Sequence, residues 1–427
     1  MLVSDVYEYR DGVLHVEGVS TLDLAEEFDT PLYVMSETRI RQNYRRLLKA
    51  LSRYSQKIRI YYSAKANTNL SVLRILKEEG AYIDTVSVGE VCLALEAGFP
   101  RNMVLFTGTN VRDDELRYLS DSGVVMNIDS LSQMSRLLAY HRPEVISVRV
   151  NPEIGAGHHV HVITAGKDSK FGIWENDVIR AYRMARDAGV REFGIQMHIG
   201  SGIQEAEPFL RAAEKLLDIA DSIHRELGID FDFMDFGGGL GVPYKPDEEA
   251  LNLEVFSERV LELFKERTEK HGLGDPSFCM EPGRYIVADT GLLLTRVNTV
   301  KVTPYKIYVG VDAGFNTLVR PVMYGSYHHI VLANRLDAQQ EETYDIAGPL
   351  CESGDLLARD RKLPKIREGD LLAILDAGAY GYSMSSQYNS RPRCAEVLVR
   401  GEEYSLIRQR ESFDALLEGQ RIPPWLL

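Results

Sequence analysis

From about residue 31 to residue 284 the chain alternates short β-branched apolar runs with stretches whose apolar residues recur every three or four positions. That is the pattern of βα units wound around a parallel sheet. The runs are Pro31–Met35, Ile58–Ser63, Tyr82–Val86, Met103–Thr107, Val124–Ile128, Ile146–Val150, Phe193–His198, Phe231–Phe236 and Phe278–Glu281. Between them, Ile40, Tyr44, Leu47, Leu48 and Leu51 share one helical face, as do Val255, Phe256, Val260, Leu263 and Phe264. A closed barrel of this type takes eight strands, one fewer than the runs available. The first run is therefore expected to enter the barrel region without joining its ring.

After Arg284 the helical period fades. Leu292–Val302, Lys306–Val311, Tyr344–Ala347, Leu371–Leu375 and Glu396–Arg400 read as strands between Gly, Pro and Asp turns, and Val6–Val19 has hairpin character around Asp11-Gly12. The expected fold class is thus α/β plus β. A (β/α)8 TIM-like barrel over 30–284 is joined to a mostly antiparallel β domain formed by 1–29 and 285–427. The absence of any low-complexity linker suggests a firm interface between them.

The length of 427 residues fits two domains. A net charge of −14 argues against nucleic acid or an anionic membrane as the main partner. The cysteines Cys92, Cys279, Cys351 and Cys394 lie far apart, which suggests a reducing compartment and no disulfide framework. With no long uncharged stretch and no basic-then-apolar start, the expectation is a cytoplasmic protein without a membrane span.

Candidate chemistry begins at Lys65, which closes the run Ile58-Arg-Ile-Tyr-Tyr-Ser-Ala-Lys65. An amine at a barrel strand end faces the pocket such folds use, and lysine can join a carbonyl compound covalently. Taken alone, a solvated lysine is the better reading. Asp84, on the next strand, is within plausible reach of that amine and would orient its charged form. Asp235-Phe-Gly-Gly-Gly-Leu-Gly241 follows a strand with three consecutive glycines, whose N–H groups can approach an anion closely. A tight turn seldom needs three, and phosphate is the favoured ligand. The spacing is no dinucleotide fingerprint. Glu281-Pro-Gly-Arg284 ends the last barrel strand with a carboxylate and a guanidinium; alone, it is equally a surface ion pair at a turn. His198-Ile-Gly-Ser201 ends another strand. A lone histidine there is more often a core residue satisfied by backbone. His158, His159 and His161 raise the question of a metal, but a solvated loop is the better reading and no metal is expected.

Together these segments resemble one family. Tyr61-Tyr-Ser-Ala-Lys-Ala-Asn67, Ser169-Lys-Phe-Gly172, His198-Ile-Gly-Ser201, Asp235-Phe-Gly-Gly-Gly239, Glu281-Pro-Gly-Arg284, Gly348-Pro-Leu-Cys-Glu-Ser353 and Asp376-Ala-Gly-Ala-Tyr380 occur in family order over nearly the whole chain. The family is the fold-type-III pyridoxal-phosphate decarboxylases, alanine-racemase-like barrels with an added β domain. Arg320-Pro-Val-Met-Tyr324 with His328, and Cys351-Glu352 in place of Cys-Asp, resemble the branch that acts on meso-diaminopimelate. Without the resemblance, Arg320 and Tyr324 would pass as an exposed pair and Cys351 as a small buried hydrophobe.

The resemblance implies that Lys65 binds the aldehyde of pyridoxal 5'-phosphate and that Glu281 lies beside its ring nitrogen. Related racemases place an arginine there, so Glu281 implies decarboxylation. It further implies that His198 stacks on the ring and that Asp84 accompanies Lys65. The amides of Gly238, Gly239 and Gly283, with Ser201, Arg284 and Tyr380, would receive the phosphate. Arg284, Arg320, Tyr324 and Tyr380 would bind the substrate, Glu352 would read its distal amine, and Cys351 would return a proton. An obligate homodimer sharing its active sites is implied, with Cys351 and Glu352 crossing to the partner. The competing expectations are a decarboxylase of ornithine, arginine or carboxynorspermidine, a non-catalytic regulatory homologue, and a cofactor-free Schiff-base aldolase.

Overall fold

The computed structural model describes residues 2–4, 6–155, 165–166, 169–335 and 342–427. The chain divides into two compact units, one of Met1–Arg39, Tyr244–Pro246 and Ala288–Leu427, the other of Ile40–Pro243 and Asp247–Val287.

The second of these units is a closed barrel. Its strands in ring order are Ile58–Ser63, Tyr82–Thr85, Val104–Phe106, Val125–Ile128, Val145–Arg149, Glu192–Gln196, Phe233–Asp235 and Ser277–Met280, the last pairing back to the first. Every neighbouring pair is parallel. Side chains alternate across a strand, and this alternation organises the interior. Tyr61, Leu105, Phe233 and Cys279 form a buried plug against which Tyr82, Val125 and Val145 pack. Two residues further along the same phase stand Ser63, Asp84, Thr107, Asn127, Ser147, Asp235 and Glu281. An apolar floor thus carries a polar upper layer at the C-terminal strand ends, where barrel enzymes build their sites. Gly194 makes room for the floor, since a Cβ there would stand 2.2 Å from the Phe233 ring.

Helices return the chain between strands, and their buried faces follow the apolar period. Ile40, Tyr44, Leu47 and Leu51 are buried in Glu37–Leu51. In Leu253–His271 the buried face is Leu253, Phe256, Val260, Leu261 and Phe264. Val255, expected on that face, is exposed. The helix starts two residues earlier, with Asn252 accepting from the Val255 amide at its N-terminus.

The other unit is β-rich. Its sheet runs Leu356–Leu363, Glu342–Ala347, Ile307–Val311, Gly291–Val302, Leu32–Ser36, Ala395–Arg400 and Glu403–Arg408; Leu371–Ile374 also pairs with Gly291–Val302. Most pairs are antiparallel; Leu32–Ser36 with Ala395–Arg400, and Ile307–Val311 with Glu342–Ala347, are parallel. The N-terminal strands form a four-stranded antiparallel meander of their own. Its hairpin turns at Asp11 and Gly12, both with positive φ, as the tight turn requires. The meander shares an apolar core with Leu32, Leu292 and Val397.

Residues 30–39, given to the barrel region on sequence, fall in the β unit. The reason is strand pairing: Leu32–Ser36 is hydrogen-bonded on one side to Gly291–Val302 and on the other to Ala395–Arg400. Its continuous apolar run reflects burial on both faces, which reads the same in a barrel strand and in a central sheet strand.

Candidate active site

Lys65 does not lie on the strand itself. The strand ends at Ser63, and Lys65 sits in a single 3-10 turn, Ala64–Ala66, before Asn69 caps the helix Leu70–Glu78. Its Nζ donates to Asp84 Oδ2 at 2.7 Å and to Ser63 Oγ at 3.3 Å. Ser63 and Asp84 are direct register partners on adjacent strands, which is why the three meet. Asp84 is fully buried and also accepts from Thr107 Oγ1 at 2.5 Å. Burial alone would push this carboxyl up, but Lys65 and the surrounding hydroxyls hold it below the usual carboxylate range.

Glu281 follows the last strand and is buried. Its Oε1 accepts from Gln196 Nε2 at 3.0 Å, and Asn127 Nδ2 donates to Gln196 Oε1 at 3.1 Å. Burial, with Asp235 and Asp84 nearby, pushes the Glu281 carboxyl well up, while Lys65 and Arg149 pull it back. Burial likewise raises Asp235 to about 7.

His198 Nδ1 accepts from the Gly238 amide at 3.0 Å. Burial, then Arg149 and Lys65, lower the imidazole to about 3, so it is neutral and Nε2 carries its proton. Three glycines bring the next loop against this ring. A Cβ at Gly237 would lie 2.3 Å from the Met197 carbonyl oxygen, at Gly238 2.1 Å from that of Glu281, and at Gly239 2.6 Å from that of Gly200. Across the site a Cβ on Gly283 would stand 3.0 Å from the Cβ atoms of Ser63 and Ala66. Arg284 donates from NH2 to Ser201 Oγ at 3.1 Å. The barrel unit therefore gathers Lys65, Asp84, His198, Ser201, Gly238, Gly239, Glu281, Gly283 and Arg284 at one end.

The remaining sequence candidates lie in the β unit. Arg320 opens the short helix Arg320–Tyr324 and is only 1% exposed, not a surface residue. Its guanidinium lies over the Tyr244 ring at 4.6 Å and meets His328 Nε2 at 2.9 Å. Half-buried Tyr324 closes the same helix. Cys351 and Glu352 are exposed, against the buried-hydrophobe reading of Cys351. Tyr380 is half-buried with a φ of 57°, the left-handed conformation. The His158, His159 and His161 question lies outside the described residues.

Residues 37–288 match the family model described as pyridoxal-dependent decarboxylase, pyridoxal binding domain. The diaminopimelate decarboxylase of Methanothermobacter thermautotrophicus is 56% identical over 425 residues, 99% of each chain, and that of Archaeoglobus fulgidus 45% identical over 99% of this chain. The solved diaminopimelate decarboxylase of M. jannaschii, in a complex with L-lysine, superposes with a TM-score of 0.93 at 34% identity over 100% of both chains. The Helicobacter pylori enzyme, also with L-lysine, gives 0.86 at 33% identity over 93% of this chain and 98% of that one. The chain belongs to the diaminopimelate decarboxylases, within the pyridoxal-dependent decarboxylases.

Pyridoxal phosphate is the family's cofactor, and the residues present fit it. The glycine cradle leaves no room for side chains where backbone must approach an anion. Among the described residues, buried Arg149 NH2 has no hydrogen-bond partner at the same barrel end. Lys65 supplies the amine, Glu281 the carboxylate for a ring nitrogen, and neutral His198 a flat face.

Several residues of this layer escaped the sequence reading. Asn127 and Gln196 build the support under Glu281, and Ser63 and Thr107 the support under Asp84. Arg149 ends its strand against the Phe171 ring at 4.4 Å. Glu90 accepts from the Val86 amide at 2.8 Å, and burial raises it to about 7. The available signal was phase: each of Ser63, Thr107, Asn127 and Gln196 is a polar residue in the inward register near a strand's C-terminal end.

Proposed function

We propose that the chain removes the carboxylate adjacent to an amino group of meso-2,6-diaminopimelate, releasing CO2 and leaving L-lysine. The observation that carries this reading is Glu281, a buried carboxylate fixed by Gln196 where the related racemases place an arginine. Bound pyridoxal phosphate supplies an electron sink for the bond that breaks. Glu281, if beside the ring nitrogen, would strengthen that sink by favouring the protonated ring.

The chain's own residues do the rest. Lys65 would hold the cofactor through its amine, and Asp84 pairs with that amine when it is free and protonated. His198 would lie against the cofactor ring, and the amides of Gly238, Gly239 and Gly283, with Ser201, Arg284 and Tyr380, would hold its phosphate. Arg284, Arg320, Tyr324 and Tyr380 bind the substrate's far end. Two guanidinium groups suit a distal carboxylate and repel the cationic ends of ornithine or arginine. Glu352 receives the distal amine, and the Cys351 thiol gives its proton to the carbon that CO2 has left. Cys351 and Glu352 act on the barrel of a second copy, which makes the working form a homodimer, and the enzyme works in the cytoplasm. Among the described residues no helix is long and apolar enough to cross a membrane.

The test is to incubate the protein with pyridoxal phosphate and meso-diaminopimelate, ornithine, arginine or carboxynorspermidine in parallel. Lysine and CO2 from the first alone support the reading. Turnover of another substrate in preference, or of none, overturns it.

A further inference from the structure

The segment Gly348–Ser353, which carries Cys351 and Glu352, is pinned from three sides. Buried Asp355 accepts from the Leu350 amide at 2.8 Å through one oxygen and from the Phe315 amide at 2.7 Å through the other. A Cβ on Gly348 would stand 2.2 Å from Asp355, so only glycine admits this clasp. Asn389 Oδ1 accepts from the Cys351 amide at 3.0 Å, with Asn389 itself left-handed at a φ of 57°. The third contact is Tyr388. Its hydroxyl donates to Glu352 Oε1 at 2.6 Å, and its ring stacks on Phe315 with centroids 5.4 Å apart and planes 23° from parallel.

These contacts form a closed support. Phe315 is tied to Asp355, Asp355 to the segment bearing Glu352, and Tyr388 bridges from the Phe315 ring back to the Glu352 carboxylate. An exposed glutamate would otherwise sample many rotamers, and fixing one of its oxygens leaves the other free in a single direction. The hydrogen bond to Glu352 pushes the Tyr388 phenol up to about 12, with Cys351 adding to the effect, so the phenol keeps its proton and remains a donor.

We propose that Tyr388 is a positioning residue: its hydroxyl aims the Glu352 carboxylate at a substrate's distal amine. The inference rests on Glu352 reading that amine, as set out above. Tyr388 thereby contributes to selection of a diamino diacid over a monoamino one.

The test uses the holoenzyme and Tyr388→Phe, which keeps the stack on Phe315 and removes only the hydroxyl. KM for meso-diaminopimelate should rise about tenfold, the scale of a lost hydrogen bond to a charged group, with kcat falling less. The inhibition constant of 2-aminopimelate, which has no distal amine, should stay within about twofold. In a Glu352→Ala background, which removes the acceptor, the same change should add nothing to KM. An unchanged KM, an equal loss for both ligands, or additivity with Glu352→Ala overturns the inference. Wild-type protein that yields no lysine from diaminopimelate refutes instead the functional reading beneath it.

Discussion

Gln196 donates its side-chain N–H to Glu281 Oε1 at 3.0 Å, and through Asn127 the contact is braced by a third strand. One carboxylate oxygen is thus fixed, which sets the direction of the whole carboxylate. Replacing Gln196 with Leu should free Glu281 to rotate. A loss of about tenfold in kcat is expected, the size of one buried hydrogen bond, with cofactor affinity changed less than about threefold. Steady-state kinetics and an absorbance titration with pyridoxal phosphate measure the two.

Glu281→Gln tests the carboxylate itself. The amide keeps the size but cannot stabilise a protonated ring. We expect kcat to fall by about a hundredfold while the cofactor remains bound. Equal loss of affinity and turnover would mean that Glu281 anchors the cofactor instead of tuning it.

Arg320→Lys should raise KM for diaminopimelate by about tenfold or more, because an ammonium cannot reproduce a guanidinium fork. The buried contact with His328 makes a folding check by thermal melting part of this measurement. An unchanged kcat/KM removes Arg320 from the substrate site.

His198 provides a pH signature in the cofactor-free protein. Its folded value, about 3, lies below the usual histidine value of 6.5. The unfolded chain therefore binds the extra proton first as pH falls. The stabilisation from neutral His198 is complete above 6.5 and is lost progressively from there towards about 3. Tm should drop through that window, and the drop should be shallower in His198→Phe. Identical slopes would remove His198 as a contributor.

The floor of the barrel offers a stability test. Gly194→Ala places a methyl group 2.2 Å from the Phe233 ring. Overpacking of this kind costs about 1–3 kcal/mol, which urea unfolding should register, and Phe233→Leu in the same background should recover part of it.

The barrel was legible because strand and helix periods differ and because Lys65, Asp84 and Glu281 each stand near or just past the C-terminal end of a strand. The strand Leu32–Ser36 was the ambiguous case, since burial on both faces erases the alternation that would tell a sheet strand from a barrel strand. Hydrogen-bonding partners such as Gln196 and Thr107 were harder to see, because nothing local marks which polar residue points inward until strand register is known. Arg320 misled in the opposite sense. Its sequence suggests a surface cation, whereas the Tyr244 ring and a histidine acceptor accommodate it in the interior. Tyr388 gave no signal, for its partner Glu352 is 36 residues away.

The most direct measurement is borohydride treatment of the protein loaded with pyridoxal phosphate, followed by peptide mass mapping. A phosphopyridoxyl group fixed on Lys65 is the expected result. Lys65 found unmodified in protein that releases CO2 from diaminopimelate would contradict the account.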